Sequence, residues 1–399
     1  IEGLRELFLD DHQLPASIVA DLNAGKTVNI SEGKYKDRVQ LQFSHGVYFD
    51  NPRNSQVGTW SICSEAPSWK PSMVYNGLAV IFARYEWKKI ETQEDADANP
   101  FSGSIPSLQT TLLGRKVASI SSATDTAYGS RTERYSTNPV EHLVDYLSNP
   151  RYGKGLVPTD IDWDQALLSA NKCNQRVEYV SGVYGAILTS NIVVDTAQTL
   201  MNNTKSLLAT FRGYMPFSQG EYRIRVEDAG NESDILSGSA TIVRTFTEDN
   251  IIDNITFSSV DKSNKYNAVK IGYVDPDDKW SNQTVIYPES EADRAYYRGL
   301  DGGRENVAEV FFAGITNYAI AKDMARLLFN KSRFQETCAF TADSSALDLE
   351  VGDNIYIQSK HLNFSTTPWR VVSLNIKNDM SVEVGCIKNQ DSIYPHTRV

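Results

Sequence analysis

Cysteine is scarce in this chain of 399 residues: Cys63, Cys173, Cys338 and Cys386 lie far apart and form no CxxC pair. Such spacing signals neither a zinc site nor the dense disulfide framework of a small secreted domain. Cys173 falls on an apolar helix face and Cys386 alternates in phase with Val382 and Val384, so both read as small core hydrophobes carrying free thiols. Long apolar runs are missing too. The longest, Leu78 to Ala83, is far short of the ~20 residues of a membrane-spanning helix, and no signal peptide is visible. The first residue is Ile1 rather than methionine, which leads us to expect a native start upstream.

Catalytic signatures are equally absent. The five histidines, His12, His45, His142, His361 and His396, are scattered, with no HExxH pair, and there is no Gly-x-Ser-x-Gly elbow. Ala24-Gly25-Lys26-Thr27 looks like the end of a phosphate-binding loop, but Ala20 stands where its first glycine is required. Asp275-Pro-Asp-Asp278 reads as a turn without the glycine and terminal glutamate of an EF-hand loop. No catalytic residue, cofactor or metal ligand is expected. Positive charge is also short: 39 Lys and Arg face 50 Asp and Glu, a net charge of −11, so no specific nucleic-acid site is expected.

What is present is an ordinary globular composition, 41% hydrophobic and 22% charged, long enough for several cores. Fold class is read as mainly β with α+β parts, multidomain, with small β-barrel or antiparallel sheet domains and a few packing helices. Residues 1–130 form a β-rich domain without a clear helix, with Leu78 to Trp87 as a core strand and a polar inserted loop at about 51–71 that carries Trp60 and Trp69. Ser121 to Thr137 reads as a linker. Residues 131–212 are a helical α+β segment, 213–332 an antiparallel sheet domain closed by a helix near 316–330, and 333–399 a small β-barrel of short, regularly spaced strands. Between them, Tyr222, Ile224 and Val226 alternate with Arg223, Arg225 and Glu227, the period of a half-buried strand. A further helix is expected from a cap at Asp195 to Phe211.

The most telling stretch runs from 138 to 177. Asn138 is a good N-cap, Pro139 suits the first helical position, and Glu141 is placed to reach back to the cap amide. Val140, Leu143, Val144 and Leu147 then share one face until Asn149-Pro150 stops the helix. Gly153 and Gly155 supply a turn, Arg151 and Tyr152 are expected to lock the helix pair against the body, and His142 is expected to be solvated. Thr159 or Asp160 opens a second helix with Trp163, Ala166, Leu167, Ala170 and Cys173 as its buried stripe, ending near Arg176.

This order of an Asn-Pro-led helix, an Arg-Tyr-Gly-x-Gly turn and a helix ending near Asn-Gln-Arg-Val resembles the central region of the tip attachment, or host-specificity, proteins of lambda-like long-tailed bacteriophages. Phe211-Arg212-Gly213-Tyr214 is similar to that family's segment before a short strand pair, and Leu349-Glu350-Val351-Gly352-Asp353 to its lead into a late β-barrel. The likeness covers about residues 100 to 390 and only loosely the first hundred. It implies a structural, non-enzymatic virion protein at the tail tip: a homotrimer whose ring continues the tail tube. Its partners would be the distal tail and other tail-tip proteins, tape measure protein or DNA in the lumen, and a host-receptor-binding fibre. The rival from another class is a carbohydrate-active protein, a glycan depolymerase or sugar-binding module, using Trp60, Trp69 or Trp280 as sugar platforms.

Overall fold

A computed structural model describes residues 1–46, 78–87, 89–101, 104–121, 132–230, 234–236, 240–259, 265–359 and 367–394. The inserted loop with Trp60 and Trp69, Cys63, and most of the expected linker lie outside the described residues. The chain divides into two compact units, one of residues 1–117 with 133–135, the other of 118–132 with 136–399.

In the first unit, strand Gly3–Leu9 pairs antiparallel with Leu108–Leu113, and Val39–His45 lies between Val28–Asn29 and Ala79–Tyr85. Helix α1 (Ala16–Asn23) buries Ile18, Val19 and Leu22 in the same core as Leu7, Leu9, Leu41 and Phe43. A second helix, α2 (Gln93–Asp97), is opened by a capping box in which Thr92 and Asp95 bond reciprocally. Neither helix was expected, because each is too short to show a full apolar period. Ala79–Tyr85 is a half-exposed edge strand rather than a core strand. The phosphate-loop look-alike follows α1 instead of preceding a helix, and Lys26 is engaged with Asp21 at 2.6 Å, so its amides do not lead into a helix N-terminus that could hold an anion.

The second unit contains α3 (Pro139–Ser148), α4 (Trp163–Cys173), α5 (Leu200–Thr210), α6 (Glu291–Leu300) and α7 (Tyr318–Arg333). Strand Ala268–Asp275 is flanked by Ser281–Tyr287, antiparallel, and Val307–Phe311, parallel. Helix α7 lays Ile320, Ala321, Met324, Ala325 and Leu327 into the large core that also holds α3, α4 and these strands. The N-cap of α5 is Thr199; Asp195 accepts from Ala197 N in a preceding turn, a local Asx arrangement that competes with helix and so mimics a cap in sequence. Helix α6 buries none of its residues and escaped the apolar-period reading for that reason.

The C-terminal strands form a six-stranded sheet in the order 242–246, 354–357, 368–376, 382–388, 337–342, 256–258. Only the first pair is parallel. Its core of Phe246, Phe340, Ile355, Ile357, Trp369, Val371 and Val384 is separate from the large one. Mainly β architecture with small sheets is thus observed, but this sheet is open: it recruits 242–246 and 256–258 from far upstream, and among the described residues its two outer strands are not joined into a barrel. Ahead of Thr256–Ser258, Ile251 makes a lone bridge to Ala342. Cys338 and Cys386 face each other across this sheet as free buried thiols, and burial pushes the Cys338 thiol up to about 11.

Candidate functional site

Helix α3 begins at Pro139 as expected. Asn138 accepts from the amides of Val140 and Glu141, and its own amide group donates to Ala170 O on α4, so one side chain caps the first helix and ties it to the second. Glu141 is almost wholly buried and accepts from Ile120 N and from the Ser136 hydroxyl, which in turn receives the Asn138 amide. The expected back-reach to the cap therefore runs through Ser136. His142 is half-buried, not solvated: its Nε2 lies 2.8 Å from Ser136 O, and burial holds its pKa below the ordinary value of 6.5.

Beyond Asn149 and Pro150 the connector folds back over the helix end, where Lys154 N donates to Tyr146 O and Leu156 N to Leu147 O. These carbonyls have no partner within the helix, so the connector is its C-terminal cap. A Cβ on Gly153 would sit 1.5 Å from Tyr146 O, which explains the glycine, and Gly155 takes a positive φ of 71°. Tyr152 donates to Asp145, while Arg151 is exposed, so the expected lock falls to the tyrosine alone. Helix α4 is capped by Asp162, after a 3-10 turn at Pro158–Asp160, and buries Trp163, Ala166, Ala170 and Cys173. Leu167 is only half-buried, and Arg176 is an exposed strand residue.

The alternation at 222–227 leads to a different kind of site. Ile224 and Val226 enter the large core. The opposite face, Arg223, Arg225 and Glu227, meets the C-terminal sheet instead of solvent. Arg223 bonds Glu350 and lies 3.2 Å from Asp162; Arg225 pairs with Glu350 at 2.7 Å and with Asp353 at 3.2 Å. Glu227 pairs with Lys331 at 2.7 Å and approaches Arg370 at 3.6 Å. Arg370, 8% exposed, donates to Tyr394 Oη and to Asp228 O, and Lys172 of α4 reaches the Asp228 carboxylate at 2.5 Å.

Burial opposes the charge on Glu227, yet Lys331 and Arg370 hold its pKa below the ordinary value. Burial raises Asp353 despite Arg225, and raises the hydroxyls of Tyr214 and Tyr394. Two cavities of about 290 and about 400 Å³ flank this network, and Tyr214, Gly352 and Arg370 line both. Gly213 and Gly352–Asp353 thus fall at or beside the junction, and the Asn138–Gly155 connector borders it through Lys154, which bonds the Tyr222 hydroxyl next to Arg223. The junction went unread in the sequence, although Arg-x-Arg-x-Glu against Glu-x-x-Asp was a visible charge complement.

Among the described residues no cluster of three His, Cys, Asp or Glu side chains is placed to hold a metal, and Asp278 is engaged by Ser281 and Gln283. The charged groups pair with one another in an arrangement that fastens one part of the chain to another.

Residues 202–374 match the family described as putative phage tail protein, a span that includes Arg223, Arg225, Glu227, Glu350, Asp353 and Arg370 of the junction. The baseplate hub protein pb3 of Escherichia phage T5 is 25% identical over 277 residues, 63% of this chain and 26% of pb3, so the chain spans about a quarter of that relative's length. Among solved structures, a chain of the virion of a native gene transfer agent particle shares the fold with a TM-score of 0.54 at 12% identity, over 99% of this chain and 77% of the other. A tail protein from Neisseria meningitidis MC58 aligns at 11% identity over 54% of this chain and 63% of its own, with a TM-score of 0.35. The chain is thus similar to phage tail proteins, one of them a named baseplate hub.

Proposed function

We propose that this hub-like chain is the central hub of a tail tip, three copies closing a ring that continues the tail tube. The observation that carries this reading is the pb3 likeness, which spans 63% of the chain and includes a named baseplate hub. The outer strands of the second unit's sheets support it: a symmetric ring can cover strand edges that a lone subunit leaves unpaired. On this reading the periphery anchors the distal tail and other tip proteins and carries the receptor-binding fibre, while tape measure protein and then DNA pass through the lumen. A net charge of −11 suits a channel through which phosphates slide without sticking. The finer likeness to lambda-like tip attachment proteins, the fourfold domain division and a scaffolding role for the Asn138–Gly155 connector are parts of the same proposal, as is the absence of catalysis by this chain.

Electron microscopy of the purified chain, and of tails containing it, tests the proposal. Three-fold rings with an axial hole are expected. Monomers in both preparations, with no density at the tail tip, would overturn it.

A further inference from the structure

The large core and the core of the C-terminal sheet are distinct apolar clusters, and the contacts that tie them together are polar, with an apolar pocket lined by Val351, Val372, Ile387 and Ile393 beside them. Arg223, Arg225 and Arg370 meet Glu350, Asp353 and Asp228 O across the boundary, and Asn389 bridges Ala229 O and Asn354. The contact is also incompletely packed, since the two cavities of about 290 and about 400 Å³ lie along it with Tyr214, Gly352 and Arg370 as their shared wall. Each side contributes one glycine at positive φ that receives a polar side chain of the other. A Cβ on Gly352 would lie 2.0 Å from Tyr214 Oη, and one on Gly230 would lie 1.9 Å from Asn354 Nδ2.

An apolar boundary resists opening because separation exposes its whole area to water. Paired charges behave differently: their desolvation cost is returned when water re-enters, so the net free energy holding such a boundary shut is small relative to the number of contacts. Buried pairs still fix register, because a shifted partner leaves an uncompensated charge. We propose that the C-terminal sheet is a separable module, which opens from the body at this ionic junction while both apolar cores stay folded. Opening removes the wall formed by Tyr214, Gly352 and Arg370 and merges the two cavities into one water-filled cleft. The chain crosses the boundary several times, between 227 and 242 and between 333 and 337 among others, so the motion is a hinged gape and not a release. It is a property of the chain alone and holds whatever assembly the chain joins.

Hydrogen–deuterium exchange of the full chain tests this with two variants. Glu350→Gln removes the shared acceptor of Arg223 and Arg225, and Gly352→Ala drives a methyl group into the Tyr214 hydroxyl without touching a charge. Both are expected to raise exchange at least tenfold at the Thr241 amide, whose acceptor, Gly230 O, lies on the body side of the junction. Protection should persist in Val382–Lys388 and in α7. Equal acceleration across both cores and the junction would mean one cooperative unit and overturn the proposal. So would unchanged exchange at the junction in both variants. If Glu350→Gln fails to fold, Gly352→Ala decides alone.

Discussion

The Asn138–Gly155 connector and the ionic junction do the same task, fastening one element to another, by opposite means. In the first, backbone groups and an apolar stripe from residues close in sequence close over the end of α3. In the second, side-chain charges from residues more than a hundred positions apart meet in a partly buried seam. The first should be intolerant of added volume and indifferent to charge. The second should be sensitive to charge, and to added volume at Gly230 and Gly352 where the two sides interlock.

Gly153→Ala puts that contrast under the greatest strain. Its methyl group would overlap the Tyr146 carbonyl, which the connector caps, so a loss of more than about 4 kcal/mol is expected, read as a fall in Tm or failure to fold. A near-native Tm would show that the connector has slack and that the contrast is misplaced. Arg370→Ala comes next: it strips the guanidinium from Tyr394 and Asp228 O and leaves Glu227 with Lys331 and the Tyr394 hydroxyl, at a cost of about 3 kcal/mol in denaturant titration. Arg370→Met, which keeps the packing volume, should recover part of that loss. The same urea titration should find Asn138→Ala weaker by about 1–2 kcal/mol, through the lost cap and the bond to Ala170 O.

The smallest effects separate the two regions by pH. His142 has its folded pKa below 6.5 through burial, so the unfolded chain binds its proton more readily; the stability it supports is intact above pH 6.5 and declines as pH falls below that value. Glu227 is held below 4.5 against its burial by Lys331 and Arg370, so its contribution is present above pH 4.5 and is lost as pH falls through the folded value. Stability curves of His142→Gln and Glu227→Gln should therefore flatten in different windows, the first near neutrality and the second only in acid. Flattening in the same window would erase the distinction.

These two regions also show why one part of the molecule could be read from sequence and the other could not. Helix α3 announced itself through Asn138, Pro139 and an i, i+3, i+4, i+7 stripe, all within ten residues, and its start fell where expected. The partner of Glu141 was misread because Ser136 sits just before the cap and takes the amide itself. Helix α6 has no buried face and left no apolar signature, while α1 is short and follows a proline instead of a polar cap. The barrel expectation failed on a long-range pairing: nothing local to Ile242–Phe246 shows that it lies beside Asn354–Ile357 and not beside a neighbour in sequence. The junction was hidden for the same reason. Arg223 and Arg225 alternate like the solvent face of a strand, and only the tertiary fold brings Glu350 and Asp353 over them.

That parallel pairing sets a clock during synthesis. Ile242 stands opposite Asn354, about 110 residues later in the chain. At ~5–20 residues per second, roughly 5–20 s pass between the appearance of the first strand and of its partner. Throughout that interval Ile242, Val243 and Phe246 belong to a nascent chain whose final sheet cannot yet exist, so ribosome-bound intermediates ending before residue 354 should be the aggregation-prone ones and the clients of a chaperone.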